Sequence, residues 1–269
     1  MKYCFLIILL VINSSLYAGK VDTVSIYSGS MHKKISCVVI RPDNYSKSKD
    51  RFPVLYLLHG YAGCYSDWIR KVPVLKDYAD RYKMMIVCPD GGTASWYFNS
   101  PIDSNMRYET FVGTEVVNYI DSAYRTIKNK NARAITGLSM GGHGAFYLGL
   151  RHADTFGAFG SMSGGLDINA SNKQFEISKR IGDTLNYKQN WIDFSNYYLI
   201  DQYSNTTQSI IFDCGTEDFY YPCNIAFHEK LLRLKIKHDF IARPGNHSWE
   251  YWSNAIEYQL VFFEKYFKK

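Results

Sequence analysis

Gly137-Leu138-Ser139-Met140-Gly141 is the segment whose residue types and spacing most directly suggest chemistry. A serine hydroxyl is a weak nucleophile until a neighbouring base takes its proton. The pattern G-x-S-x-G raises such a serine to the apex of a sharp strand-to-helix turn, and the glycines on either side let the backbone crowd together where a Cβ would clash. The serine then stands at a helix N-terminus, where amide groups favour developing negative charge. The apolar run Ala132–Thr136 before it and the helical pattern Gly142–Leu150 after it supply that context. The chemistry such a serine would perform is nucleophilic attack.

The nucleophile needs a base, and the base needs an orienting acid. Of seven histidines, only His152, His228, His238 and His247 lie well beyond the turn. His152 ends the following helix, His228 falls inside a helical pattern, and His238 starts a strand. His247 alone sits in a loop just after the last strand, in Pro244-Gly245-Asn246-His247-Ser248. We expect it to be the base. The acid should follow the penultimate strand, where Asp213, Glu217 and Asp218 compete. Asp213 is close enough to the strand to be buried. Asp218, three residues past Gly215, can reach the top of a sheet and is preferred, with Glu217 as the rival. Two backbone N–H groups should receive the oxyanion. Met140 supplies one, directly after the nucleophile. The loop His59-Gly60-Tyr61-Ala62-Gly63 supplies the other, with Tyr61 as donor and the His59 ring tying the loop together.

These residues must be carried by a scaffold, and its elements are legible. Val21–Tyr27 and Lys34–Ile40 alternate polar and apolar, as antiparallel strands do. Six short, almost wholly apolar runs follow: Val54–Leu58, Met84–Val87, Ala132–Thr136, Ala158–Met162, Ser209–Phe212 and Phe240–Ala242. Each closes in a glycine-containing loop, the signature of a parallel sheet covered on both faces. Helical patterns at Tyr108–Ile127, Gly142–Leu150, Asn224–Leu234 and Ser248–Phe267 alternate with them. The order predicts a doubly wound α/β sheet, with the site at the carboxyl ends of the strands. Leu166–Gln208 breaks the rhythm: 43 polar but aromatic-rich residues between two strands, read as a cap within a single domain spanning 19–269.

Four motifs in order resemble the esterase D branch of the α/β-hydrolases: LLHGYAG, GLSMGGHGA, DCGTEDF and PGNHSWEYW, within a stretch from about Val54 to Phe263. That branch includes feruloyl and acetylxylan esterases, S-formylglutathione hydrolases, tributyrin-type esterases and mycolyltransferases. The resemblance implies an α/β-hydrolase fold and carboxylic-ester hydrolysis through Ser139, Asp218 and His247. It also places the oxyanion amides on Tyr61 and Met140. The Leu166–Gln208 segment departs from the branch and leaves the substrate open.

Composition narrows the setting. With 46% hydrophobic and 21% charged residues, the chain of 269 residues builds a core and is not disordered. A net charge of +6 is too mild to argue for nucleic acid. Lys2, the nine-residue apolar run Cys4–Ile12 and a small residue at Ala18 have the layout of a secretory signal peptide cleaved after about Ala18. The run is too short to span a bilayer, which needs roughly 20 residues. The expected location is therefore secreted or periplasmic. Cys37, Cys64, Cys88, Cys214 and Cys223 remain after cleavage, an odd number with no zinc-like spacing, so neither metal nor cofactor is expected. Cys214 and Cys223 bracket Asp218, and the sequence leaves open whether they are bridged. Export fits feruloyl or acetyl esters on plant polysaccharide. Trp96 and Trp249, with Tyr97, Phe98 and Trp252 beside them, are candidates to stack on a sugar or aromatic acid, or else to pack as core. The rival readings are an S-formylglutathione hydrolase-like thioesterase and an acyltransferase using the same three residues.

Overall fold

The computed structural model describes residues 19–171 and 174–269, so the expected signal peptide lies outside the described residues. Eight strands form one sheet in the order β1-β2-β4-β3-β5-β6-β7-β8. They are β1 (Lys20–Ser28), β2 (Lys33–Arg41), β3 (Val54–Leu58), β4 (Met85–Pro89), β5 (Arg133–Gly137), β6 (Ala158–Met162), β7 (Ser209–Gly215) and β8 (Asp239–Arg243). β1 pairs antiparallel with β2, and β2 antiparallel with β4; all other pairings are parallel. This is the α/β-hydrolase arrangement.

Side chains alternate across a strand, so an all-apolar strand must be buried on both faces. On β3, Val54, Tyr56 and Leu58 join one core, and Leu55 and Leu57 the other. The first core packs under the helices Met140–Arg151 and Tyr221–Arg233, the second under Leu75–Arg81 and Trp249–Phe267. Ser248 caps the last of these with its hydroxyl, which fixes where the chain turns from the loop that holds His247 into helix.

The 166–208 segment folds into short helical turns, Ile168–Ser171, Ser178–Ile181, Lys188–Asp193, Asn196–Leu199 and Ile200–Tyr203. Leu166, Ile181, Trp191 and Ile200 sink into the first core. Asn196 Nδ2 donates to the His143 carbonyl oxygen (2.9 Å), tying the segment to the helix behind Ser139.

One expected helix is shorter than its pattern. Tyr108–Ile127 is helical only to Ala123 and widens to a π-helical stretch at Phe111–Val116, where Gly113 abuts the His152 ring. It stops because Phe52 captures the following backbone: Phe52 N–H donates to Arg125 O (2.9 Å), and Ile127 N–H to Phe52 O (3.0 Å). All five described cysteines are free thiols, Cys214 buried and Cys223 half-buried, so this structure has no bridge around Asp218. Among the described residues no helix is long and apolar enough to cross a membrane.

Candidate active site

β5 delivers Ser139 to the carboxyl edge in the middle of the sheet. Its backbone is left-handed, with φ 53° and ψ −116°, a conformation that costs a non-glycine residue about 1–3 kcal/mol unless its surroundings enforce it. The enforcement is visible. Ser139 N–H donates to Met162 O on β6 (2.9 Å). A Cβ on Gly137 would lie 2.6 Å from Gly141 O, and one on Gly141 would lie 2.5 Å from His59 O. Only glycine at both positions lets β3, β5 and the helix start close together.

His247 arrives from the loop after β8 and Asp218 from the loop after β7. Ser139 Oγ and His247 Nε2 are 2.8 Å apart, as are His247 Nδ1 and Asp218 Oδ2. A carboxylate can only accept, so Nδ1 carries the proton and Nε2 is left to accept from the serine hydroxyl. The other carboxylate oxygen, Asp218 Oδ1, accepts from Tyr220 N–H (2.8 Å), and the carboxylate is fully shielded from solvent. Backbone bonds stitch the two loops: Thr216 N–H to Arg243 O (2.8 Å) and Glu217 N–H to Gly245 O (2.9 Å).

The rival acids lie elsewhere. Glu217 is exposed and lines a separate groove with Asn246 and Glu250. Asp213 is buried in the sheet, where its Oδ2 accepts from Gln259 Nε2 (2.7 Å); burial pushes its pKa up to about 7. The rival histidines beyond the turn also lie elsewhere, and His59 has a structural place. His152 ends the helix Met140–Arg151 beside Glu109, and His228 and His238 meet each other at 2.7 Å at the opposite end of β8 from His247. The His59 ring lies between two backbone groups, Gly60 O (2.8 Å) and Gly91 N–H (2.7 Å). It therefore pins the β3 loop, and burial lowers its pKa so that it stays neutral.

The backbone N–H groups of Tyr61 and Met140 differ from those of their neighbours. Beside Tyr61, Ala62 N–H donates to Thr93 O and Gly63 N–H to Gly60 O. Beside Met140, Ser139 N–H and Gly141 N–H donate to Met162 O and Leu138 O. The N–H groups of Tyr61 and Met140 meet no acceptor among the described residues, and both residues flank the serine.

The cleft at Ser139 holds about 160 Å³ and is walled by Tyr61, Leu138, Phe175, Trp249 and Trp252, with Asp67 at its edge. Burial opposes the charge on Asp67, but its bonds from Arg70 and from Cys64 outweigh that and hold its pKa below the ordinary value. Trp249 is half-buried and lies edge-on to Trp68 at 5.2 Å. Trp96 corrects the sequence expectation: it is only 1% exposed and does not wall the cleft. Its indole N–H donates instead to Phe175 O (3.0 Å), so it acts from behind the wall. Tyr97 and Phe98 are likewise core. Sequence reasoning did not single out Phe175 or Phe219 for the site. The available signal was an apolar residue placed directly after the acid in a loop. Among the described residues no group of three or more His, Cys, Asp or Glu is arranged to hold a metal ion.

Residues 28–263 match the family described as "Putative esterase". An acetyl esterase of Caldicellulosiruptor saccharolyticus is 24% identical over 262 residues, spanning 87% of this chain and 94% of that protein. An esterase of Mycobacterium tuberculosis is 30% identical over 237 residues, 78% of this chain but 51% of that protein, so this chain spans about half its length. The solved structure of a ferulic acid esterase superposes with a TM-score of 0.81 at 31% identity, covering 93% of this chain and 99% of that one.

Proposed function

Since the chain belongs to this esterase family, we propose that it hydrolyses carboxylic esters through an acyl-enzyme on Ser139, and that its substrates are feruloyl or acetyl esters of plant polysaccharide met outside the cytoplasm. The observation that carries the reading is the unbroken relay Ser139–His247–Asp218, with 2.8 Å at both steps, beside two unengaged N–H groups. His247 Nε2 takes the serine proton as Oγ attacks the ester carbonyl. The carbonyl oxygen gains charge and is received by the N–H groups of Tyr61 and Met140. Asp218 holds the imidazole in its working tautomer and stabilises the imidazolium. That imidazolium then protonates the departing alcohol. Water, activated by the same imidazole, releases the acid and restores Ser139.

The substrate class draws support from three directions. The similar proteins include an acetyl esterase and a ferulic acid esterase. The cleft wall is aromatic. The N-terminal eighteen residues have the layout of an export signal. The test is a panel of p-nitrophenyl acetate, butyrate and longer esters beside methyl ferulate, acetylated xylan and an S-acyl thioester. Acetate or ferulate release that disappears in Ser139→Ala is the expected result, with ~10³-fold over water remaining from the oxyanion donors. An unchanged rate in Ser139→Ala, or preference for the thioester, would overturn the proposal.

A further inference from the structure

β8 ends the sheet, and among the described residues only β7 pairs with it. In a parallel ladder the N–H and C=O of one residue point the same way, and successive residues alternate. Arg243 O accepts from Thr216 N–H (2.8 Å), just past the end of β7. Arg243, Ile241 and Asp239 therefore turn their backbone groups towards β7, and Phe240 and Ala242 turn theirs outward. No loop or helix backbone among the described residues bonds to those outward groups. Asp239 and Ala242 are exposed. An uncovered edge invites a further strand unless a bulge, an in-strand proline, a covering element or like charges blunt it. The charges of β8 are of both signs, Asp239 at one end and Arg243 at the other, so they do not repel a copy of the same strand.

The layers above and below continue this edge. On one face the helix Tyr221–Arg233 lays His228 on the Phe240 ring (4.7 Å, 23°), and Leu232, one turn further along, is 57% exposed. On the other face Arg243 lies over the ring of Tyr258 at 4.2 Å, on the helix Trp249–Phe267. Tyr258 is 45% exposed, and Val261, on the same face of that helix, is exposed too. Large apolar side chains are thus left in water in both layers that border one uncovered strand, which is the makeup of an association surface.

We propose that two copies of this chain join along this edge, β8 against β8 antiparallel, about a two-fold axis at Ile241. The backbone and the charges select that register. Pairing about Ile241 sets Phe240 opposite Ala242 of the second copy, and these outward-facing residues exchange N–H···O bonds. It also sets Asp239 opposite Arg243 of the second copy as a non-hydrogen-bonded pair, where facing side chains come closest. Arg243 is oriented beforehand by Asn254 Oδ1 and by the buried Asp213, 3.9 Å away. A centre on Phe240 would instead set Lys237 opposite Arg243, two like charges. A centre on Ala242 would set Phe240 opposite Pro244, which has no N–H to donate. The contact is the same patch on both copies, so it closes on itself as a dimer. The loop that holds His247 leaves from the end of β8, so the junction also braces that loop.

Sedimentation velocity at protein concentrations up to about 100 μM reads the association. Wild-type protein is expected to form dimers. Asp239→Lys, a change on an exposed side chain, sets like charges opposite each other twice about the axis and should raise the dissociation constant about tenfold or more. Ala242→Pro removes an outward N–H and no bond to β7, so it should give folded monomers, with folding read by circular dichroism. Cross-linking reads the register. The Cα atoms of a non-hydrogen-bonded pair are about 4.5 Å apart, within the span of a disulfide. Ile241→Cys should therefore give a disulfide-linked dimer under mild oxidant, and Ala242→Cys should not. Wild-type protein that stays monomeric throughout would overturn the proposal and leave the edge to a different chain. Dimers with an unchanged dissociation constant in Asp239→Lys, or with no cross-link through Ile241→Cys, would overturn it as well and put the contact elsewhere.

Discussion

Replacing Asp218 with asparagine alters two hydrogen bonds for the exchange of one atom. The carboxylate accepts from His247 Nδ1–H at Oδ2 and from Tyr220 N–H at Oδ1, each at 2.8 Å. An amide has only one oxygen. If that oxygen stays on Tyr220, the NH2 group faces the imidazole, Nδ1 becomes an acceptor, and the ring proton moves to Nε2. It then points at Ser139 Oγ, and the imidazole cannot take the serine proton. If the oxygen turns to His247, the NH2 group meets Tyr220 N–H donor to donor in a shielded place, which costs about 1–3 kcal/mol. Both orientations also remove the negative charge that stabilises the imidazolium. The same wrong-tautomer substitution in a serine protease lowers kcat about 10⁴-fold, which is about 5 kcal/mol of barrier. Asp218→Asn is therefore expected to lose about 10³- to 10⁴-fold in kcat on p-nitrophenyl acetate, with a small change in KM and a folded circular-dichroism spectrum. Glu217→Gln, on an exposed side chain, should stay within about twofold, the usual range for a surface change. A folded Asp218→Asn enzyme within tenfold of wild type, or a larger loss in Glu217→Gln, would refute the reasoning.

Three further outcomes follow from the geometry. Gly141→Ala would push a Cβ to 2.5 Å from His59 O and 2.7 Å from Leu58 O, both backbone atoms. It should cost about 1–3 kcal/mol in urea unfolding and lower kcat by moving the loop that carries Tyr61; wild-type values for both would show that the elbow has slack. Burial raises the Asp213 pKa from near 4 to about 7, so the unfolded chain gives up this proton first and stability falls as pH rises from about 4 to 7. The upper bound on that loss is about 4 kcal/mol. Asp213→Asn should flatten the stability curve between about pH 4 and pH 7, and an unchanged slope would show that the carboxyl is ionised throughout. Dialysis against EDTA should leave esterase activity unaltered, and a strong loss restored by a divalent cation would reveal a metal role.

Much of this arrangement was legible because the chemistry and the scaffold use the same punctuation. Each buried strand ended at a glycine-containing loop, so the apolar runs marked the sheet and the loops marked its functional edge. Ser139 was marked by its G-x-S-x-G spacing and His247 by its position in a loop. Other features depend on backbone geometry that residue types do not encode. Trp96 and Tyr97 both adopt left-handed backbone conformations (φ 55° and 61°), which turn those rings into the core. Nothing in the run Ser95–Phe98 signals that reversal. The helix beginning at Tyr108 ends early because of Phe52, a partner 56 residues upstream, and periodicity within the helix cannot register it. The helix after the serine begins at Met140, two residues before its apolar pattern, because the elbow and not hydrophobic spacing starts it.

The position of β8 has a consequence for how the protein fails. Ser139 is mounted in the middle of the sheet, but His247 hangs from the exit of an edge strand, which among the described residues has β7 as its only sheet neighbour and exposed residues at Asp239 and Ala242. Outer strands open at lower free energy than central ones. The relay thus ties its most deeply anchored member to one of its least anchored, and lifting that strand by a few ångströms disarms the serine while the core stays intact. Under mild denaturant, ester turnover should fade before near-ultraviolet circular dichroism changes, and it should return on dilution. Operational lifetime is then set by one edge of the sheet and not by the melting of the molecule, which makes the β7–β8 seam the place to reinforce.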